Sequence, residues 1–363
     1  MNSRKVGGKV IGSGGYGCIF NPSLKCKNKK SKKSKKKIIK LLYSKDAKNE
    51  WQEFKNVKNI INKIDNYKNY FIIDNISICS PDKLTNKDKI NLNKCESTFS
   101  TLNLNSININ DNIKDFKIIN MDYGGIDLTK IIYYSKLDFK TINKLLINLL
   151  KNAINKMNIL DFFHSDIKAQ NLLYFDNKIK IIDFGISFYI NDNTRDIPDI
   201  ILNHKIQYNS LLSRILFNSH FDKLLYSFLI SNKNINRETI DLDNKIKKFL
   251  LHYYESWIEH SSGKGHEDFI NKYFIQGLFN LNNIVDVPNI NFTAILFSEY
   301  CYKILIKYIN FDTKKLDKKK YFNEVYLKNL DIIGFLSVYI DFIINNNTIY
   351  SKNLKISISN LLI

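Results

Sequence analysis

The stretch His164-Ser165-Asp166-Ile167-Lys168-Ala169-Gln170-Asn171, followed further on by Asp183-Phe184-Gly185, decides how this chain is read. It has the form H-x-D-x-K-x-x-N, then two short apolar runs, then D-F-G. The runs Leu172-Leu173-Tyr174 and Ile179-Lys180-Ile181-Ile182 flank Asp176-Asn177, a turn signal between two β-type segments. That pattern predicts a hairpin returning Asn171 and Asp183 to one neighbourhood. Two carboxylates, an ammonium and an amide would then serve one site.

Upstream, Ile11-Gly12-Ser13-Gly14-Gly15-Tyr16-Gly17-Cys18-Ile19 contains G-x-G-x-x-G-x-I. Dinucleotide-binding folds share the glycine spacing, but they need a helix directly after it and an acidic residue about 20 positions on. Here Cys18-Ile19-Phe20 continues as a β-type segment and breaks at Asn21-Pro22, which predicts a strand–loop–strand hairpin. Without side chains at Gly12, Gly14 and Gly17, backbone N–H groups can approach phosphate closely. Next, Lys37-Ile38-Ile39-Lys40-Leu41-Leu42 places Lys40 after two β-branched residues. Residues 46–64 read as an amphipathic helix through Trp51, Phe54, Val57, Ile61 and Ile64. Glu50 and Glu53 each share a stripe with part of that set. Residues 141–160 carry a wide apolar stripe and predict a core helix leading to His164.

In this order the motifs resemble the eukaryotic-type serine/threonine protein kinase superfamily. The resemblance implies an α+β, bilobal protein-kinase-like fold with a small antiparallel-sheet N-lobe and a mostly helical C-lobe. It implies ATP, with Mg²⁺ or alternatively Mn²⁺, and a protein hydroxyl as acceptor. Ile11, Gly12, Ser13, Gly14, Gly15, Tyr16 and Gly17 would cover the ATP phosphates, with Ile19 over the adenine. Lys40, matched in preference to Lys37, would hold the α- and β-phosphates and pair with Glu50 or Glu53. Phe116 to Leu128 resembles the fifth strand and hinge, with Met121 as gatekeeper, Asp122 and Tyr123 beside the adenine edge, and Asp127 toward the ribose. Asp166 would be the catalytic base. Lys168 would lie against the transferring phosphate, a placement resembling serine/threonine rather than tyrosine kinases. Asn171 and Asp183 would hold metal through hard oxygen atoms, and His164 would be structural.

The match has gaps. Ser165 stands where the family usually has an arginine that orders a phosphorylated activation loop, so another form of control, or constitutive activity, is expected unless a lysine or Arg195 substitutes. Ile197-Pro198-Asp199 is a loose echo of A-P-E. Asp331-Ile332-Ile333-Gly334 resembles the family's D-x-W-x-x-G, whose aspartate holds the catalytic-loop backbone. The stretches Ile206-Gln207-Tyr208-Asn209, Ser213-Arg214-Ile215-Leu216-Phe217 and Gly263-Lys264-Gly265-His266 resemble kinases of large cytoplasmic DNA viruses. Two other classes stay open: a pseudokinase-type regulatory binding module, and a small-molecule phosphotransferase of the aminoglycoside-kinase type.

The expected organisation is one kinase domain over 1–363, with an N-lobe over 1–120 bearing insertions at about 21–37 and 74–115. The C-lobe is expected over 121–363, with an insertion at about 200–325. A content of 44% hydrophobic and 25% charged residues excludes a disordered chain and suits one with a sizeable core. No run is apolar for long enough to predict a membrane span, and the first residues lack a secretory apolar core. The reading is therefore intracellular: host cytoplasm or virion for a viral protein, with the nucleus as a further option. Cys18, Cys26, Cys79, Cys95 and Cys301 form no C-x-x-C pair and are expected to be free thiols in a reducing compartment. Net charge is +20, much of it from the run Lys25 to Lys37, a candidate contact for nucleic acid or an acidic partner.

Overall fold

The β-type segments flanking the glycines pair as expected in the computed structural model, which describes residues 8–14, 17–27, 37–95, 99, 103–135, 137–191, 193–202, 204–232, 240–261, 264–275 and 291–344. Gly15, Tyr16 and most of the Lys25–Lys37 run lie outside the described residues. Contacts divide the chain into two units: residues 1–126 with 173–185, and residues 127–172 with 186–363. The hairpin segment 173–185 is grouped with the first unit.

In the first unit, β1 (Lys9–Gly14), β2 (Gly17–Asn21), β3 (Lys37–Tyr43), β4 (Ser77–Cys79) and β5 (Phe116–Asp122) form one sheet in the order β1-β2-β3-β5-β4. All neighbours are antiparallel, and Lys40 lies between Ile19 on β2 and Ile119 on β5. β-branched residues suit this pleated surface, and Ile39, Leu41, Ile118 and Ile119 are buried from it. Helix Ser44–Ile61 follows β3 directly; its first turn carries Asp46 and its last Lys58, the charge order that the helix dipole favours. It buries Ala47, Val57 and Ile61, and ends close to the expected boundary.

The 74–115 insertion is part of the core. It supplies Leu84, Leu92, Cys95, Phe99 and Ile109 to a cluster with Val10, Phe20, Ile39 and Leu41. Asp88, buried in the same region, accepts a 2.6 Å hydrogen bond from the Gly8 amide. This packing corrects the free-thiol expectation. Folding the insertion against the sheet brings Cys18 to Cys95 and Cys26 to Cys79 as disulfides, with Cα atoms 5.8 and 5.9 Å apart. The partners are 77 and 53 residues apart in sequence, so no spacing rule could have paired them. Only Cys301 remains a free thiol, and burial pushes its pKa up.

The predicted hairpin is present as Leu172–Phe175 and Lys178–Ile181. Asp176 and Asn177 both take positive φ, 49° and 55°, which Asp and Asn tolerate and a two-residue hairpin turn requires.

In the second unit, the predicted core helix runs Phe139–Leu149, passes through a wider turn at Leu150–Ile154 and ends at Ile159. Asp138 caps it by accepting the Thr141 amide at 2.8 Å. The 200–325 region is no appendage, since its helices Ser219–Ser231, Ile240–Ser261 and Phe292–Tyr308 furnish much of this unit's core. Phe217, Phe221, Tyr253, Phe297, Tyr321 and Tyr326 are all buried there. Among the described residues no helix is long and apolar enough to cross a membrane.

Helix Leu327–Ile344 carries Asp341, whose pKa is pushed up to about 6 by burial, with the Thr129 hydroxyl opposing and Asp127 adding to the rise. Between the ordinary value of 3.8 and about 6 the folded state binds more protons than the unfolded one, so stability falls as pH rises through that window. Asp341→Asn is expected to stabilise the protein by roughly 1–2 kcal/mol near neutral pH and to have little effect below the window. Urea titrations at both ends measure this; a lower midpoint for the variant at neutral pH would contradict it.

Candidate active site

The loop after Phe162–Phe163 is held from below by a carboxylate distant in sequence. Asp331 is 1% exposed and accepts the His164 amide at 3.0 Å and the Ser165 amide at 2.8 Å. Ser165 sits at φ 65°, a left-handed conformation uncommon for a side-chain-bearing residue and held here by its surroundings. One turn after Asp331, Gly334 lets the helix touch the loop; an added Cβ would lie 2.8 Å from the Ile167 carbonyl. The D-x-x-G spacing thus puts a clamp and a close approach on one helix face. His164 is buried and its Nδ1 accepts the Asp166 amide at 3.2 Å, a structural arrangement.

Asp166 projects from this support with only 8% of its surface exposed. Lys168 Nζ donates to both of its oxygens, at 3.0 and 2.8 Å. Asn171 Nδ2 donates to Oδ2 at 2.9 Å and to the Asp166 carbonyl at 2.8 Å. The short 3₁₀ turn Ala169–Asn171 brings that amide back over the aspartate. Asn209 completes the set, with Nδ2 donating to Asp166 Oδ1 at 2.8 Å and to the Ile167 carbonyl at 3.2 Å.

Asn209 is the residue that sequence reasoning missed as part of the site. It stood in a quoted stretch but had no role, because a lone asparagine in a loop signals nothing by itself. Its neighbour Tyr208 donates to Gln170 at 3.0 Å, so this segment is tied to the loop twice. Asn209→Ala is expected to lower kcat by roughly tenfold or more while leaving the KM for ATP almost unchanged, as loss of a positioning contact should. Steady-state kinetics read both, and an unaltered kcat would remove Asn209 from the positioning of Asp166.

In the first unit, Lys40 Nζ meets Glu50 Oε2 at 2.7 Å, with each side chain about one-fifth exposed. Glu50 is therefore the partner between the two candidates. Glu53 reaches the surface, yet its carboxyl lies above its ordinary range, first through desolvation and then through repulsion from Glu50. Lys40 opposes that rise and Asp183 adds to it, so these four charges share one electrostatic neighbourhood. Asp183 is exposed at φ 66°, and the next residue, Phe184, is buried with its ring 6.4 Å from Phe71.

Gly12 has open space where a Cβ would be, and Ile11 is 49% exposed. Ser13, Gly14 and Gly17 fall on the facing ends of β1 and β2, with Ile19 further along β2. Met121, Asp122 and Tyr123 end β5 or follow it. Asp122 accepts from Asn75 at 2.8 Å, and Tyr123 packs edge-on against Phe175. Gly125, at φ 104°, leaves no room for a side chain beside the Tyr174 carbonyl. Asp127 caps helix Leu128–Tyr134, with one oxygen on the Lys130 amide at 3.0 Å and the other on its ammonium at 2.7 Å.

Arg195, offered as a substitute for the arginine missing at Ser165, and Asp199 of the A-P-E echo both have defined surroundings. Arg195 is engaged by Asp161 at 3.2 Å and Asn323 at 2.9 Å. Asp199 of the A-P-E echo is exposed and so cannot serve as a buried anchor.

Each unit offers an oxygen donor of the kind a hard divalent cation takes. In the second unit the Asn171 amide nitrogen is committed to Asp166, which leaves its Oδ1 as the ligating atom; in the first, Asp183 presents an exposed carboxylate.

The chain matches the family of protein tyrosine and serine/threonine kinases over residues 6–223. It is 32% identical over 121 residues to the EKC/KEOPS complex subunit BUD32 of Enterocytozoon bieneusi (strain H348), covering 33% of this chain and 56% of that protein. It is 33% identical over 84 residues to the serine/threonine-protein kinase MPS1 of Encephalitozoon cuniculi (strain GB-M1), covering 23% of this chain and 14% of that one. The chain thus spans only part of the length of these relatives.

Proposed function

Because the chain belongs to the protein tyrosine and serine/threonine kinase family, we propose that it transfers the γ-phosphate of ATP to serine or threonine hydroxyls of proteins. The observation that carries this is the buried Asp166 carboxylate, aimed by Lys168, Asn171 and Asn209. Phosphoryl transfer passes through a loose transition state, so the protein's work is to position groups and neutralise spreading charge. Asp166 orients the acceptor hydroxyl and takes its proton. Lys168, which bridges both Asp166 oxygens, turns to the transferring phosphate and frees a lone pair on Asp166 for that hydroxyl. Lys40, fixed by Glu50, holds the α- and β-phosphates. Asn171 and Asp183 would hold Mg²⁺, which would supply positive charge to offset that of the phosphates. The lysine two positions after the aspartate favours serine and threonine over tyrosine.

The Ile206–Asn209 and Ser213–Phe217 stretches support placing the chain in the branch encoded by large cytoplasmic DNA viruses, acting inside the host cell. The Lys25–Lys37 run supports an acidic partner there.

Labelled ATP with Mg²⁺ and a mixture of basic and acidic proteins tests the activity. Label on phosphoserine or phosphothreonine is expected. Nucleotide binding without transfer would instead favour the regulatory binding module, and transfer to small molecules alone would favour the aminoglycoside-kinase type.

A further inference from the structure

We infer that Cys26 and Cys79 form a thiol–disulfide exchange site whose state sets nucleotide affinity through β5; the affinity part rests on the kinase reading. The two disulfides of the first unit differ in access. Cys18 and Cys95 are both fully buried, so an external thiol cannot reach either sulfur. Cys26 is 7% exposed and Cys79 more open, which makes Cys79 the point of attack. The surroundings favour a thiolate leaving group. The Asn120 amide lies 3.6 Å from the Cys26 sulfur and 3.5 Å from that of Cys79. Lys25 and Lys27 flank Cys26 and are exposed.

The pair is also built to close again. Cys26 bridges Pro81, the Lys27 amide donates to the Ser80 carbonyl at 2.9 Å, and the Asp82 amide donates to the Lys25 carbonyl at 2.9 Å. These backbone contacts do not depend on the S–S bond and favour its re-formation. In the exchange, a low-molecular-weight thiolate attacks Cys79 Sγ, the Cys26–Cys79 bond breaks, and Cys26 departs as thiolate. A second thiol then attacks the mixed disulfide and releases Cys79. The sum is one protein disulfide and two thiols giving a protein dithiol and one external disulfide.

Asn120 carries the consequence to the nucleotide. It pairs with Ser77 on β4 and Ile39 on β3, and directly precedes Met121 and Asp122. β4 is a three-residue edge strand, and the cross-link closes a loop between it and the start of the basic run. Opening the link loosens both, so ordering them is left to nucleotide binding and weakens it.

The test incubates the full chain in graded ratios of reduced to oxidised glutathione, blocks free thiols, and maps disulfide-linked peptides by mass. Cys26–Cys79 should open at ratios that leave Cys18–Cys95 closed. The Kd for a fluorescent ATP analogue with Mg²⁺ should rise by about fivefold or more on opening. Cys79→Ser should show the weakened affinity and no response to glutathione, while Cys301→Ser should behave as wild type. Failure to recover a Cys26–Cys79 peptide under oxidising conditions would overturn the site, as would its opening together with Cys18–Cys95. Equal Kd values for the open and closed wild-type protein would overturn the coupling. Absence of nucleotide binding in both forms would overturn the coupling and the kinase reading together, while the peptide map decides the exchange site independently.

Discussion

Asp166→Asn is expected to reduce phosphoryl transfer by roughly 10²- to 10⁴-fold, the range for losing a positioned general base. The substitution keeps the shape of the side chain and its place above the Asp331 clamp. It removes the proposed proton acceptor and the negative charge that Lys168 meets at 2.8 Å. No residue placed around Asp166 replaces it, since Lys168, Asn171 and Asn209 all act as donors toward it. Nucleotide affinity should change little, because the groups proposed to hold the phosphates are Lys40 and the glycine-rich hairpin rather than Asp166. Single-turnover transfer from labelled ATP, set beside nucleotide binding by the same preparation, measures the two separately. Transfer at near wild-type rate would show that another group takes the proton.

Asp331→Ala should act differently, by releasing the loop. It deletes a fully buried acceptor and leaves the His164 and Ser165 amides without it. Each unsatisfied buried donor costs about 1–3 kcal/mol, and the left-handed φ of Ser165 loses one of the contacts that hold it. A loss of roughly 3–5 kcal/mol is expected, a large share of the stability of an ordinary domain. The denaturant midpoint should fall together with transfer activity, whereas Asp166→Asn should lower activity alone. A variant with an unchanged midpoint would show that the loop is supported elsewhere. Asp331→Asn, which keeps the volume and one acceptor oxygen, should fall between the two.

Much of this protein was legible from residues close together in the chain. Strand periodicity around Gly12–Gly17 predicted the hairpin, and Asp176-Asn177 predicted the turn after Asn171, because such geometry depends on a few adjacent φ and ψ angles. The order of Lys40, Asp166, Lys168, Asn171 and Asp183 was likewise written in the chain. The kinase resemblance offered Glu50 or Glu53 as the partner of Lys40, and helix periodicity could not choose, since both lie on usable stripes and only the reach of the folded side chain separates them. The disulfides, the Asn209 amide on Asp166 and the core role of residues 200–325 were decided by tertiary structure alone. Each joins groups tens of residues apart, and no local pattern records which distant segment the chain will return to.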